Sequence, residues 1–516
     1  MMEYRDGMCW TRMAGTGWGW FDWGWGTCLG DRGVRGGHGT GRDETGEGGE
    51  VYMYVCMYAS APGPTWIKQP HAPSTPARNP PTMPTSPQPA PLSIAILGGG
   101  IAGLTTALSL TSFTPATHAP PHITVYEIRP QPATIGGAVN LTPNALRLLA
   151  HLGALDEIRA RGSGAPCPAV EVFDVYSGAK IAESSFRGAD GRGLGEPPFS
   201  ALRITRGESL EGVLAAVRKC ANISVVCGKK TVRICEDGDG VELGFEDGET
   251  ARVDVLLGCD GIHSVARRLH VEPERTATYS GICNAFGFAP RARSEAGEWE
   301  DVPFEASGMN FSRRGMLLTS FYNEARDSIY VGALMQVPEI ASRDGWKAAG
   351  ADAEKTRKEM LERFAGAKNP AIERWIREAE DLYLWPVFTL SKGGKWATER
   401  VMLIGDSAHA MPPQGEATGI VFEDGVLFAR CLARWMEKSR DKGIPVKEAF
   451  DAYERLRRAR IDAAFDESQM VVSTVQEVGW LKYRIKMNVV PWFLWWTSAE
   501  REKRFVEDVT TCELNY

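Results

Sequence analysis

From Leu92 onward the chain alternates two apolar patterns. Short β-branched runs, Ser93-Ile94-Ala95-Ile96-Leu97 and Ile123-Thr124-Val125-Tyr126, have the continuous hydrophobicity of buried parallel strands. Between them, Leu104 to Leu110 carries apolar residues at helical spacing. Two later runs, Val253-Asp254-Val255-Leu256-Leu257 and Arg400-Val401-Met402-Leu403-Ile404, read as strands that lead into Asp260-Gly261 and Gly405-Asp406. Segments 170–185 and 281–337 are β-rich, and amphipathic helices dominate after Gly425. A helix is expected from near Ile420, with Glu423 and Asp424 as helix residues that have structural partners. Strand and helix in alternation predict an α/β protein.

Residues 1–91 break this pattern. Gly, Trp and charged residues dominate to Glu50, and proline is dense from Ala61 to Pro91. Proline at that density blocks helix and interior strand, so a disordered extension without chemistry, or a start codon assigned too early, is expected. The first 30 residues lack the basic-then-apolar order of a secretory signal.

The turn after the first strand, Gly98-Gly99-Gly100-Ile101-Ala102-Gly103, fits G-x-G-x-x-G. Gly98 would make the tight turn, Gly100 would admit a pyrophosphate, and Gly103 would permit close helix–strand packing. The helix N-terminus adds free amides and partial positive charge. Glu127, closing the second strand, is placed to accept hydrogen bonds from ribose hydroxyls. Strand, turn, helix, strand and acid in this order predict a Rossmann-like dinucleotide site. Asp260 and Asp406, two acidic strand ends far apart in sequence, are unnecessary for NAD alone. They suit a larger cofactor whose ribityl hydroxyls need acceptors and whose ring carbonyl needs a helix N-terminus.

With Gly98–Gly103, Asp260-Gly261 and Gly405-Asp406 in place, the chain resembles the single-component flavoprotein monooxygenases of the salicylate-hydroxylase-like type. Gly136-Gly137-Ala138-Val139-Asn140-Leu141-Thr142-Pro143-Asn144-Ala145 is similar to that family's segment near the flavin ring, and Arg206 to its flavin-contacting arginine. Trp396 and the run Tyr453 to Arg460 extend the likeness, which covers about Leu92 to Met470. The resemblance implies FAD as cofactor, with Glu127 on the adenosine ribose, Asp406 on the ribityl chain, and Asp260 supporting the pyrophosphate region and the nicotinamide donor. The loop from Pro412 through Gly415 to Gly419 would present amides to the flavin ring. Many relatives carry a second glycine where this chain has Ala417, which would be strained if that backbone needed positive φ. Asp260 also suits a simple helix cap, and His409 suits a packing or loop-fixing role better than catalysis.

The expected architecture is a Rossmann-like FAD-binding domain built from 92–164, 203–274 and 391–470. It is interleaved with a β-sheet substrate domain, 165–202 and 275–390, and followed by a helical tail, 471–516. The implied activity is hydroxylation or epoxidation of a small, aromatic or electron-rich substrate by O2 through a flavin C4a-hydroperoxide, with NADH or NADPH as reductant. A single dinucleotide fingerprint implies that NAD(P)H binds without a Rossmann domain of its own. No residue is singled out as a catalytic base. An FAD oxidase or dehydrogenase, and a non-enzymatic flavin-binding interaction protein, are the competing readings.

Composition adds bounds. A net charge of −7 gives no reason to expect nucleic acid. Eleven cysteines without a C-x-x-C pair fit reduced thiols in a cytoplasmic protein, and no metal cluster stands out. The apolar run Val489 to Trp496 is too short to span a bilayer. Its tryptophans suit packing onto the protein, with peripheral membrane contact as the alternative.

Overall fold

In the computed structural model, residues 4–5, 8–9, 90–134 and 136–514 are described. Tyr4–Arg5 pairs antiparallel with Met8–Cys9; the rest of the expected 1–91 extension, up to residue 89, lies outside the described residues.

Along the chain run β1 (Ser93–Leu97), α1 (Ile101–Ser112), β2 (His122–Glu127), β3 (Ala138–Leu141), α2 (Pro143–His151) and α3 (Ala154–Ala160). Then come β4 (Ala165–Cys167), β5 (Ala169–Asp174), β6 (Lys180–Ser185), β7 (Ala201–Thr205), α4 (Arg206–Val217) and β8 (Ile223–Cys227). The middle holds β9 (Thr231–Glu236), β10 (Val241–Phe245), β11 (Thr250–Val253), β12 (Val255–Gly258) and β13 (Thr278–Pro290). Next are β14 (Ser307–Ser312), β15 (Gly315–Ser320), β16 (Ser328–Gln336), α5 (Arg343–Ala351), α6 (Ala353–Arg363), α7 (Pro370–Glu378) and β17 (Glu380–Thr389). The chain closes with β18 (Val401–Leu403), α8 (Asp406–His409), α9 (Ala417–Lys438), α10 (Lys447–Thr474), α11 (Trp480–Trp496) and α12 (Ser498–Val506).

The parallel sheet has the order β8-β2-β1-β12-β18. Its central strands are apolar without alternation because both faces are covered, with Leu104 and Leu108 of α1 and Leu243 and Phe245 of β10 in the same core: Ile94, Ile96, Leu256 and Leu257 are all buried. Parallel strands bring their carboxyl ends to one edge. The residues that follow β1, β12 and β18, and the last residue of β2, therefore emerge side by side although the first and last of them lie more than three hundred positions apart. The Asp-Gly strand read from sequence divides at Asp254 into β11, in the antiparallel meander β9-β10-β11, and β12 in the parallel sheet.

A seven-stranded sheet, β17-β13-β16-β15-β14-β5-β6, is antiparallel except between β14 and β5. One face packs Ala285, Leu317 and Val331 against Met360, Trp375 and Ile376 of the α5–α7 layer. The other face carries Phe286 and Tyr330 against Ala138, with Phe288, Leu318, Tyr322 and Tyr383 around them. Farther along, that face is covered by Val472, Tyr483 and Met487 of α10 and α11. A small sheet, β3-β7-β4, lies where the two layers meet. All strands of the parallel sheet fall within 92–164, 203–274 and 391–470, and those of the large sheet within 165–202 and 275–390. β7 and α10 run across the expected boundaries at 202 and 470, because each bonds or packs on both sides of them.

Candidate functional site

The convergence of strand ends is tight. Gly98 has φ +108°, and a β-carbon there would stand 2.5 Å from the Cys259 carbonyl oxygen and 3.0 Å from Asp260 Cα. A β-carbon on Gly103 would collide with the Gly98 carbonyl oxygen, so the turn and the helix close on each other only with glycine. Gly405 lies on the opposite flank, where a β-carbon would be 3.6 Å from Ala102 Cβ. The fingerprint, the Asp-Gly turn and the Gly-Asp turn thus form one continuous surface.

Gly100 is the N-cap of α1; it supplies no side-chain cap, and nothing approaches within 4 Å of where its β-carbon would be. The N-terminus of α1 thus has open space beside Gly100 and no side chain capping it, which is the setting for an anionic phosphate. Glu127 is buried at the end of β2. Its Oε2 accepts from Gly99 N at 2.8 Å and its Oε1 from Arg129 N at 2.9 Å, leaving further lone pairs on both oxygens. Asp406 is exposed at the first position of α8, beside the start of α1.

Asp260 caps the turn that follows it: Oδ2 accepts from Val265 N at 2.5 Å and Ala266 N at 3.2 Å. Burial raises its pKa against the pull of Ser264 and those amides. The cap uses one oxygen only: Oδ1 is buried with no hydrogen-bond partner among the described residues. Arg267 ties the same turn to α8, donating to the carbonyls of Ser407 at 2.7 Å and Ile262 at 2.5 Å.

Arg206, exposed, begins α4, and its Cδ would lie 2.5 Å from a β-carbon on Gly136. Its own amide donates to the Gly137 carbonyl at 3.1 Å. The Gly136–Ala138 segment therefore lies between Arg206 and the aromatic face of the large sheet, where Ala138 meets Phe286 and Tyr330. Just beyond it, Gly419 packs against Thr142 and Asn144, which brings the end of the 412–419 loop onto the same stretch of chain. Gly415 has φ +88°, whereas Ala417 is the first residue of α9, after the Glu416 N-cap at φ −111°. Alanine at 417 thus carries no left-handed strain, and the helix begins three residues before Ile420.

Beneath this loop is a buried ionic cluster. Arg457 reaches Asp424 Oδ1 at 2.6 Å and Glu423 Oε2 at 2.8 Å, and donates to the Ile420 carbonyl at 2.8 Å. Glu423 also accepts from Asn144 Nδ2 at 2.6 Å, joining α9 to the Gly136–Ala145 segment. His409 Nε2 lies 2.9 Å from Asp424 Oδ2 and its ring is 5.3 Å from that of Trp396, so it locks the loop after Gly405-Asp406 from behind. Burial works against the Asp424 carboxylate, but Arg457 and His409 outweigh it and hold its pKa below the usual range.

Sequence reasoning passed over Arg203. It projects from β7 toward the large sheet, only 6% exposed, with Nε donating to Ser320 Oγ at 3.1 Å and Cζ 5.3 Å from the Tyr330 ring centroid. Burial lowers its pKa, and among the described residues no carboxylate pairs with it. Directly opposite on β3, Asn140 has a buried Oδ1 without a partner among the described residues. The detectable signal was an arginine in an otherwise apolar strand, Ala201-Leu202-Arg203-Ile204. It names no ligand without the sheet opposite.

A stack of glycine turn, open helix N-terminus, buried ribose-side acid and second acidic strand end fits an extended dinucleotide cofactor. The FAD binding domain family model matches residues 92–468. Salicylate hydroxylase of Pseudomonas putida is 30% identical over 393 residues, covering 72% of this chain and 82% of its own. 3-Amino-4-hydroxybenzoate 2-monooxygenase of Streptomyces cremeus is 28% identical over 371 residues, covering 72% and 84%. Among solved structures, Klebsiella pneumoniae HpxO complexed with FAD and uric acid superposes with a TM-score of 0.63 at 20% identity, covering 81% of this chain and 96% of that one. The chain belongs to the FAD binding domain family and, within it, to the salicylate-hydroxylase-like FAD-dependent monooxygenases.

Proposed function

We propose that the protein uses NADH or NADPH and O2 to hydroxylate a small aromatic acid held between its FAD site and the aromatic face of the large sheet. The observation that carries this reading is that the Gly136–Ala138 segment meets Arg206 on one side and the Phe286/Tyr330 face on the other, while Gly419 packs on Thr142 and Asn144 just beyond it. Bound FAD supplies hydride acceptance from the nicotinamide and activation of O2 for transfer of one oxygen atom. In this reading Gly98, Gly100 and Gly103 admit the pyrophosphate at the α1 N-terminus, and Glu127 binds the adenosine ribose. Asp406 holds the ribityl chain, Arg206 contacts the flavin, and Asp260 supports the pyrophosphate region and the nicotinamide donor. Gly415 and Gly419 let the loop amides face the flavin ring, with Ala138 opposite. The proposed domain division follows the two sheets, the parallel one for FAD and the large one for substrate.

The aromatic face excludes water and stacks a flat substrate, which limits loss of reducing equivalents as peroxide. Arg203 supports an acidic substrate, because a buried guanidinium without a carboxylate partner is stabilised by an incoming anion. Two of the relatives are named for aromatic acids, salicylate hydroxylase and 3-amino-4-hydroxybenzoate 2-monooxygenase. The eight cysteines from Cys167 to Cys512, all unpaired, suit the reducing cytoplasm, where the pyridine nucleotides are available. The test is turnover of the FAD-loaded protein with NADH or NADPH under 18O2 against a panel of hydroxybenzoates. One labelled oxygen in the product supports the proposal. Stoichiometric hydrogen peroxide with unlabelled substrate across the panel would favour an oxidase.

A further inference from the structure

Helix α11 is apolar on two opposite faces. Its inner face is anchored: Tyr483 donates to Phe311 O at 2.9 Å, and Met487 and Leu494 pack on the large sheet with Val490. A surface helix needs one such stripe to be held in place. α11 has a second stripe pointing outward, formed by Leu481, Ile485, Val489, Trp492 and Trp496, at helical spacing along its whole length. Leu481 is 76% exposed, Trp492 71% and Trp496 70%. The expected packing of 489–496 onto the protein therefore holds for Val490 and Leu494 and fails for the tryptophans, which lie on the face turned away from the sheet.

The charge around the stripe is one-sided. No Asp or Glu occurs from 478 to 499, while Lys482 and Arg484 are exposed on its flanks, in a chain of net charge −7. Lys486 turns inward to the Thr474 carbonyl, and burial lowers its pKa to about 8, so it does not share in the outward charge. Tryptophan in quantity beside basic residues, on a helix lying along the surface, is the composition that settles at the headgroup level of a bilayer. No helix of the described residues is long and apolar enough to cross a membrane, and α11 carries Pro491 and its basic residues within its length, which is the build of a helix that lies along a surface.

We infer that the outer face of α11 docks the enzyme onto an anionic phospholipid surface. Anionic lipid is favoured over a neutral one because each exposed Lys or Arg near such a surface adds about 1 kcal/mol, and no acidic residue in the helix opposes it. This assignment is independent of the substrate reading.

The experiment is sedimentation of the full-length, FAD-loaded protein with vesicles of phosphatidylcholine containing about one-third phosphatidylserine, and with phosphatidylcholine alone. The wild type is expected to pellet with the anionic vesicles and much less with the neutral ones. Leu481→Ser/Trp492→Ser/Trp496→Ser should partition at least ~30-fold more weakly, and Lys482→Glu/Arg484→Glu roughly tenfold or more. Both should keep full flavin content, which reports folding because these side chains are exposed and far in sequence from the FAD motifs. Wild type remaining in the supernatant with anionic vesicles would overturn the inference, as would a triple-serine variant that pellets like wild type. A wild-type dimer converted to monomer by the triple substitution would overturn it as well, by assigning the stripe to a second copy of the chain.

Discussion

Arg457→Met probes how the site is held. Arg457 is 2% exposed and Asp424 is fully buried. The arginine serves Asp424, Glu423 and the Ile420 carbonyl together. Methionine fills much of the same volume, so the loss is electrostatic: two buried carboxylates and one carbonyl lose their shared donor. Breaking a buried pair from one side costs about 3–5 kcal/mol, since the abandoned charge stays desolvated. Replacing Asp424 by Asn as well removes the better-buried charge, and about half of that loss should return. The pH dependence has a definite sign. In the wild type Asp424 is held below its ordinary 3.8 by Arg457 and His409, so its contribution is present above that value and fades as pH falls through the lower folded value. In the variant, burial acts with less opposition and raises the carboxyl, so its penalty is largest at neutral pH and is relieved on acidification. The gap between wild type and variant should therefore narrow from pH 8 to pH 5. Urea unfolding followed by circular dichroism at several pH values measures it, with flavin fluorescence reporting release of cofactor. A loss below ~1 kcal/mol, or a gap that widens toward acid, would refute the assignment of Arg457 as the counter-ion of a buried anion.

Other substitutions test single contacts. Arg203→Gln should raise KM for hydroxybenzoates by roughly tenfold to a hundredfold, as expected for a lost charge-assisted bond, with little change for a neutral phenol; equal effects on both would remove the anion-binding role. Glu127→Gln is expected to weaken FAD affinity by about 1.5–3 kcal/mol in a flavin titration, because the amide group also faces the Gly99 and Arg129 donors that the carboxylate now accepts from. Asp406→Ala should purify largely without flavin, and full yellow occupancy would dismiss its ribityl role. Gly103→Ala places a methyl against the Gly98 carbonyl oxygen; it should abolish flavin binding while circular dichroism shows the large sheet intact, and a normal flavin content would contradict the close packing of turn on helix.

Much was legible from local pattern because the chemistry is backbone chemistry. A phosphate-binding turn needs glycine at set intervals, a buried parallel strand needs continuous apolar residues, and an acid at a strand end follows directly; Ser93–Leu97, Gly98–Gly103 and Glu127 meet all three demands within a short stretch. The loop was harder to read. Ala417 raised an expectation of strain that vanishes once α9 starts at Ala417 itself, since the helix N-terminus supplies an ordinary backbone conformation there. Asp260 was ambiguous between cap and ligand, and the folded carboxylate devotes one oxygen to the cap while the other stays buried and unpaired.

By itself, then, the sequence determined the α/β class, the dinucleotide turn and the order of the motifs, because hydrophobic period and glycine spacing are local properties of the chain. Tertiary structure alone decided what those motifs face. Arg203 gains meaning only when β7 lies under Ser320 and Tyr330, more than a hundred residues away. Arg457 becomes a counter-ion only when α10 packs on α9. The two apolar faces of α11 become one anchor and one open surface only when the large sheet covers the first of them. Burial and the partner of a charge depend on which distant elements meet, and no local period in the chain encodes that meeting.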